Sequence, residues 1–272
     1  MRFVAGALIA LAVAVPAAAD TWRHYKVASV QRTLHRYNAL RASYGAQPVT
    51  FVRSWAEGCA RHMAYLKRND SITHTEQRGR PGYSKLGAQE GGRSVISFPY
   101  KREPFPAGKP LGNWKTAPFH QALVLNPLIA RTGFSKGCLD TIGGLQNEFA
   151  SRSSDPPRLL AWPGDGATHV PRAIDACVEL PSDPFSKFGW KCNKSGTAFY
   201  VYELDPQAQT CAQPEVKPQV TVTAGGRTLQ TGVTDGGDCA WIVATHGVLP
   251  KHAQVTLSVT AAGATLSHTF ST

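Results

Sequence analysis

Hydrophobic residues near the start of the chain recur at helical spacing. Intervals of three and four residues place one set of side chains on a single face of a predicted helix that ends at Gly45. This set is Val27, Val30, Leu34, Tyr37, Leu40 and Tyr44. After Pro48 the spacing returns and predicts a second amphipathic helix with a basic end at Lys67 and Arg68. Its apolar positions are Val52, Trp55, Cys59, Met63 and Leu66, so Cys59 is expected to face the core.

Towards the C-terminus, alternation of apolar and polar residues replaces the helical spacing and predicts strands. The strand positions are Phe199 and Val201, Val220 and Val222, Leu229 to Val233, Val255 to Val259, and Leu266 to Phe270. Predicted hairpin turns lie at Gly225–Gly226 and Ala262–Gly263. We expect these strands to close into a small β-sandwich.

The two patterns are separated at residues 151–157, which read Ser-Arg-Ser-Ser-Asp-Pro-Pro. A Ser- and Pro-rich stretch of this kind is typical of a linker. The predicted organisation is therefore a signal peptide at residues 1–19, a domain of helices with some strands at 20–150, a linker at 151–157 and a β-domain at 158–272.

The N-terminus has the pattern of a secretory signal peptide. Arg2 precedes an apolar run from Phe3 to Val15, which is followed by Pro16 and three alanines. No later segment reaches the roughly 20 consecutive apolar residues that a membrane-spanning helix needs. We predict a secreted protein, extracellular or periplasmic, with no transmembrane segment.

The chain is strongly basic, with 29 Lys and Arg against 18 Asp and Glu and a formal net charge of +11. This charge favours an anionic surface as a partner. The basic residues are scattered and do not form a compact block interleaved with aromatic residues, so nucleic acid is not an expected partner.

The chain contains six cysteines, all beyond the predicted signal peptide: Cys59, Cys138, Cys177, Cys192, Cys211 and Cys239. An even number of cysteines in an exported chain favours disulfides, and no Cys-x-x-Cys pair suggests a zinc ribbon. If the two halves fold separately, Cys59 pairs with Cys138. Three pairings then remain in the second half, of which we favour Cys177–Cys192 with Cys211–Cys239.

One short motif invites a catalytic interpretation. Residues 133–137, Gly-Phe-Ser-Lys-Gly, match the G-x-S-x-G nucleophile elbow of serine hydrolases. An elbow requires a helix directly after the serine, whereas glycines at 137, 143 and 144 interrupt helical spacing here. We expect a glycine-containing strand instead.

Several segments together resemble the CAP superfamily, which includes cysteine-rich secretory proteins, venom allergens and plant pathogenesis-related proteins. The resemblance begins at residues 34–41, Leu-His-Arg-Tyr-Asn-Ala-Leu-Arg, and continues through Gly45, Pro48 and the second helix to His74. Residues 114–120, Trp-Lys-Thr-Ala-Pro-Phe-His, and 131–134, Arg-Thr-Gly-Phe, are similar to motifs of its bacterial branch. The resemblance covers roughly Val27 to Phe149 and implies the α+β class, with an α-β-α sandwich followed by an Ig-like β-domain.

The same resemblance implies a ligand cleft that contains His74 and His120, which in many members of the superfamily bind a divalent metal, usually zinc. Two imidazoles are chemically suited to zinc, although two protein ligands alone form a weak and open site. The family's acidic partner has no glutamate in register near Gly91 and Gly92. Glu90 is the nearest carboxylate, Glu76 is a second candidate, and Arg93 could place a cation in the same space.

The leading hypothesis is a non-enzymatic secreted protein whose cleft binds a lipid-like or cell-envelope ligand, hydrophobic or anionic, with a possible divalent-metal site. The β-domain would then supply attachment or spacing. The alternative is a zinc-dependent hydrolase or protease in which metal held by His74 and His120 activates water and Glu90 accepts its proton. A third possibility is a structural surface protein whose cleft binds nothing.

Overall fold

A computed structural model of the protein describes residues 27–97, 104–105, 107, 109, 111–145, 158–179, 183–193, 196–204, 216–261 and 263–272. The predicted signal peptide, the predicted linker at 151–157 and Cys211 lie outside these residues. No helix in this part of the chain is long and apolar enough to cross a membrane.

The described residues form four α-helices, and the first two are the long amphipathic helices that the spacing predicts. The helices are α1 (Val27–Ala42), α2 (Arg53–Asn69), α3 (Lys85–Gly91) and α4 (Pro118–Val124). The side chain of Ser84 caps α3 by accepting the amide hydrogen of Gly87, which satisfies one of the open donors at that helix end. Cys59 is completely buried, as predicted.

The strands before residue 145 are only two or three residues long: β1 (Thr50–Phe51), β2 (Ser94–Ile96), β3 (Arg131–Thr132), β4 (Phe134–Ser135) and β5 (Cys138–Asp140). β1 and β3 pair in parallel, and β2, β5 and β4 form an antiparallel sheet in that order. The G-x-S-x-G segment is the β4–β5 hairpin, and Ser135 is completely buried. As expected, no helix follows that serine.

The later strands form two four-stranded antiparallel sheets. They are β6 (Arg158–Trp162), β7 (Ala198–Leu204), β8 (Gln219–Ala224), β9 (Arg227–Thr228), β10 (Thr231–Gly237), β11 (Ala240–Thr245), β12 (Gln254–Ala261) and β13 (Ala264–Ser271). The strand orders are β10-β11-β7-β6 and β13-β12-β8-β9. The predicted turn at Gly225–Gly226 joins β8 to β9, and both glycines have positive φ. One apolar core, with Phe199, Trp241 and Leu257 among its members, lies between the sheets.

The predicted fold class is wrong. The described chain is mostly β, with four sheets and four helices, and it does not form a clear α-β-α sandwich. The reason is the size of the elements: α3 and α4 have seven residues each, and the strands that should form the middle layer have two or three. Instead, the long sheet β10-β11-β7-β6 packs on α4 through a core that also contains Tyr37 and Trp114.

Helix α4 is held from two directions by tyrosine hydroxyl groups. Tyr37 and Tyr44 donate to the carbonyl oxygens of Val124 and Leu125, each at 2.5 Å. From β7, Tyr200 donates to the Gln121 side chain at 2.5 Å, and Tyr202 donates to the carbonyl oxygen of Ala122 at 2.8 Å. All four tyrosines are buried, so α4 is fixed against both α1 and the long sheet.

A buried arginine orders the segment that follows α4. The guanidinium group of Arg41 is completely buried and donates to four carbonyl oxygens at 2.7–3.0 Å, those of Gln47, Asn126, Pro127 and Ile129. A buried cation requires this degree of hydrogen bonding to offset its lost hydration. Arg41 thereby ties the end of α1 to the chain between α4 and β3.

Two of the predicted disulfides are confirmed. Cys59 is bonded to Cys138, which links α2 to β5, and Cys177 is bonded to Cys192. Cys239 is also disulfide-bonded, and its predicted partner Cys211 lies outside the described residues. These bonds are consistent with export to an oxidising compartment.

Candidate functional site

His120 lies in the first turn of α4 and is oriented by a carboxylate from the second half of the chain. Its Nδ1 atom contacts Glu179 Oε1 in a short hydrogen bond, and Glu179 Oε2 accepts the amide hydrogen of Phe119 at 2.8 Å. The Glu179 side chain is completely buried, whereas the His120 side chain is 21% exposed. Because an ionised carboxylate only accepts hydrogen bonds, Nδ1 carries the hydrogen and Nε2 is left for another partner.

Glu179 is itself held by the Cys177–Cys192 disulfide region. Its amide donates to the Ala176 carbonyl at 3.0 Å, and the Ala176 amide donates to the Cys192 carbonyl at 2.9 Å. Burial, and after it the charge of Glu179, raises the pKa of Tyr200 well above its usual value. Tyr200 therefore remains a neutral donor to Gln121.

Sequence reasoning missed Glu179. It lies 59 residues beyond His120, on the far side of the predicted domain boundary, and no spacing rule connects the two. The one local signal is its position two residues after Cys177, because a disulfide fixes neighbouring backbone and makes a nearby side chain easier to pre-organise.

His74 lies on the segment between α2 and α3 and is exposed. Its Nδ1 atom is 2.9 Å from the carbonyl oxygen of Gly91, the last residue of α3. A carbonyl oxygen accepts and cannot donate, so Nδ1 again carries the hydrogen. The free nitrogen of His74 is Nε2, as in His120.

A buried pair, His62 and Glu76, fixes the segment on which His74 lies. His62 Nε2 is 2.9 Å from the Thr73 carbonyl oxygen, and Nδ1 is 3.1 Å from Glu76 Oε1. Glu76 Oε2 accepts the Ser84 amide hydrogen at 2.9 Å. Both oxygens of Glu76 are therefore occupied in structural contacts, and the predicted second candidate for an acidic ligand serves to position residues 73–76.

Glu90 is completely buried and faces a second carboxyl group, that of Asp140. Both Glu90 oxygens and Asp140 Oδ2 lack a donor within the described residues, so only a proton shared by the two carboxyl groups can join them. Burial, followed by the neighbouring Asp140, raises the pKa of Glu90 to about 8, although the positive charge of Arg93 acts in the opposite direction. Burial also raises the pKa of Asp140. This pair retains a proton at neutral pH.

Glycines on α2 and α3 allow these polar groups to lie between the helices. A Cβ atom on Gly58 would be 2.1 Å from Glu90 Cγ, and one on Gly91 would be 2.5 Å from His62 Cε1. Real side chains do not approach so closely, so both positions require glycine. The close approach of α2 and α3 places Gly91, the acceptor for His74, directly beneath the His62 ring.

The predicted site residues His74 and His120 lie on or next to neighbouring elements, but they have no common hydrogen-bond partner among the described residues. His74 bonds to Gly91, which precedes β2, and α4, which carries His120, packs on β2. No partner is shared by the two imidazoles in the described part of the chain. The Glu90 carboxyl group is turned towards Asp140 and makes no hydrogen bond to either imidazole.

Neither a protein-family model nor a curated protein matches this chain. The resemblance to the CAP superfamily therefore remains a prediction that rests on the motifs alone.

Whether His74 and His120 suit a metal depends on which ring nitrogen of each histidine is hydrogen-bonded and which is available. Metal-binding histidines usually donate the second ring hydrogen to a carboxylate or a backbone carbonyl, which fixes the tautomer and the ring orientation. His120 with Glu179 and His74 with Gly91 both have this arrangement. No group of three or more His, Cys, Asp or Glu side chains suited to a metal occurs among the described residues. In each of the two histidines, the Nδ1 contact leaves Nε2 as the ring nitrogen available to a ligand.

Proposed function

We propose that this protein is an exported binding protein that uses the free Nε2 atoms of His74 and His120 to hold a ligand, with a divalent cation such as zinc as the simplest one. The observation that carries the proposal is the matched use of Nδ1: a carboxylate holds it in His120 and a backbone carbonyl holds it in His74. Neither contact is needed to bury an apolar surface, and both leave the same ring atom available.

The surroundings of these residues support a ligand with apolar parts. Five large hydrophobic residues are strongly exposed within the described chain, and three of them flank the site in sequence or by hydrogen bonding. Ile72 precedes His74 by two residues, Val178 is adjacent to Glu179, and the amide of Ile142 bonds to the Arg93 carbonyl near Gly91. Exposed apolar side chains around a polar centre are typical of ligand-binding surfaces.

The net charge of +11 supports an anionic setting for that ligand. A lipid-like or envelope molecule combines apolar and anionic parts and so fits both observations. Binding in this form requires no chemical step, and the β-sheets would provide a rigid support on which α4 and its histidine rest.

The zinc-hydrolase alternative is less well supported because the carboxyl group that it assigned as the base is inaccessible. The base that it assigned, Glu90, is completely buried and shares its proton with Asp140. A general base must reach the proton that it accepts, directly or through one water molecule. The purified protein with added zinc is therefore expected to leave casein intact, and His120-dependent cleavage of casein would establish the hydrolase instead.

Zinc titration by calorimetry tests the proposal. Wild-type protein is expected to bind one zinc ion, and His74→Ala and His120→Ala should each weaken binding by about tenfold or more, since each removes one of two protein ligands. His35→Ala is the matched control, because His35 is exposed on α1, away from these contacts. If the His74→Ala/His120→Ala double variant binds zinc as wild type does, the two-histidine site is ruled out.

A further inference from the structure

A cavity of about 510 Å³ lies on the β-rich half of the protein, formed by residues other than those of the two-histidine site. Its lining residues are Thr168, His169, Arg172, Lys251, His252, Ser271 and Thr272. The volume is within the range of about 300–1,000 Å³ that small-molecule sites occupy. None of the described residues that line the cavity is Asp or Glu.

Hydrogen bonds fix the three chain segments that form its wall. Arg172 and Leu249 exchange two bonds: the Leu249 amide donates to the Arg172 carbonyl at 2.9 Å, and Arg172 Nε donates to the Leu249 carbonyl at 2.8 Å. The Thr272 hydroxyl accepts from the Ala253 amide at 3.1 Å and donates to the Pro250 carbonyl at 2.7 Å. One backbone bond, the Thr272 hydroxyl and Nε of Arg172 therefore hold the wall, and the side chains of Lys251, His169 and His252 take no part in these bonds.

Four nitrogen-bearing side chains, those of Arg172, Lys251, His169 and His252, line the cavity and form no ion pair within the described residues. The single bond from Arg172 Nε leaves both terminal nitrogens of the guanidinium group available. The acidic residues on either side of the first segment each accept a backbone amide hydrogen: Asp165 Oδ1 accepts from Thr269 at 2.7 Å, and Asp175 Oδ1 accepts from Cys177 at 3.2 Å.

The two histidines of this cavity have unusual backbone conformations. His169 has φ of 59° and His252 has φ of 55°, in the left-handed region that residues other than glycine rarely adopt. Such conformations persist where the surrounding structure enforces them, and they concentrate at ligand-binding positions. Here they place one histidine from each of two segments at the same opening.

We infer that this cavity is an anion-binding site that takes the phosphate group of a phosphorylated small molecule or lipid headgroup. A guanidinium fork that is fixed at Nε and free at its other nitrogens is suited to bidentate contact with phosphate oxygens. Lys251 and the two imidazoles add donors around the same space. The volume exceeds the need of an inorganic ion and leaves room for the organic part of the ligand.

Calorimetric titration with glycerol 3-phosphate and with inorganic phosphate, using the purified protein with any tag at its N-terminus, tests this inference. Glycerol 3-phosphate is expected to bind at one site and more tightly than phosphate. Lys251→Gln should weaken binding by about tenfold through loss of a charge-assisted contact. The matched control Lys217→Gln removes the same charge from an exposed position on another segment and should have no effect. Equal affinities of these two variants for glycerol 3-phosphate would overturn the inference. Absence of binding to both soluble ligands would also overturn it if binding to vesicles does not depend on Lys251.

Sedimentation with phosphatidylglycerol vesicles separates the two sources of the phosphate group. Binding to vesicles that depends on Lys251, without binding of glycerol 3-phosphate, identifies a lipid headgroup as the ligand. Vesicle binding that both lysine variants retain equally, in the absence of soluble binding, rules out the cavity. Because the site is separate from His74 and His120, the His74→Ala/His120→Ala variant should keep its phosphate affinity, so failure of either proposal leaves the other intact.

Discussion

At the level of single residues, the contact between Glu179 and His120 determines which ring nitrogen of His120 is available to a ligand. The carboxylate is buried and also accepts the amide hydrogen of Phe119, so the ring cannot rotate without leaving a buried charge unpaired. The second half of the chain thus contributes directly to the candidate site.

Glu179→Gln should weaken zinc binding by roughly tenfold while His120 remains in place, because loss of such an outer contact typically costs 10–100-fold in metal affinity. The amide can still accept one hydrogen bond, so circular dichroism should show an unchanged fold. Calorimetry measures the affinity. An affinity for zinc equal to that of wild type would show that Glu179 does not orient the His120 ring for metal binding.

Glu90 and Asp140 predict a pH dependence of stability. Burial raises the pKa of Glu90 from 4.5 to about 8, so between these values the folded state retains a proton that the unfolded state has released. Stability is therefore expected to fall as pH rises through this interval. Glu90→Gln carries no charge and should be more stable than wild type at pH 8.5 by on the order of 2 kcal/mol, with little difference at pH 4.

Urea unfolding of both proteins at a series of pH values measures this effect. The expected result is a wild-type midpoint that decreases between pH 4.5 and 8 and a Glu90→Gln midpoint that changes less. Parallel curves for the two proteins would show that Glu90 ionises in the folded protein as it does in the unfolded chain.

At the scale of secondary structure, the packing of α3 on α2 holds both His62 and the acceptor for His74. Gly91→Ala should destabilise the protein by about 1–3 kcal/mol, because the new methyl group would overlap a His62 ring that is hydrogen-bonded through both nitrogens. Gly91→Ala should also weaken zinc binding, because a displacement of α3 moves the Gly91 carbonyl oxygen that holds His74.

The adjacent Gly92 provides a matched control for this prediction. A Cβ atom there would meet nothing closer than 3.7 Å, and its φ of −73° suits any residue. Gly92→Ala should therefore leave the unfolding midpoint nearly unchanged. Equal destabilisation by the two substitutions in thermal or urea unfolding would contradict the close α2–α3 contact.

Local patterns predicted the long helices and the hairpins because each of these elements contains its own signal. The spacing from Val27 to Tyr44 and the alternation from Val255 to Phe270 reflect faces that are buried along a single element. Strands of two or three residues, such as β1 to β5, are too short to show a recognisable alternation of apolar and polar residues. The contacts of Glu90 with Asp140 and of Glu179 with His120 arise only when distant segments fold together, so no local pattern could reveal them.

At the scale of the whole molecule, the helices and the long sheet share one apolar core. Tyr44 and Trp114 belong to the same cluster as Tyr200 and Ile242, and tyrosines from both sides bond to α4. The division into domains at residues 151–157 remains a prediction, but the shared core implies that the two parts stabilise each other.

Unfolding is therefore expected to be cooperative. Far-ultraviolet circular dichroism, which follows the helices, and tryptophan fluorescence should report one coincident transition in urea. Two separate transitions, with the β-sheets outlasting the helices, would show that the parts fold independently and that the contacts to α4 contribute little to stability.

The proposal that His74 and His120 present their Nε2 atoms to one ligand can be tested by nitrogen-15 NMR of the imidazole rings during zinc titration. The two Nε2 resonances are expected to shift together at the same zinc concentration, while both Nδ1 atoms keep their hydrogens. Zinc-dependent change at only one of the rings, or at Nδ1 of either, would contradict it.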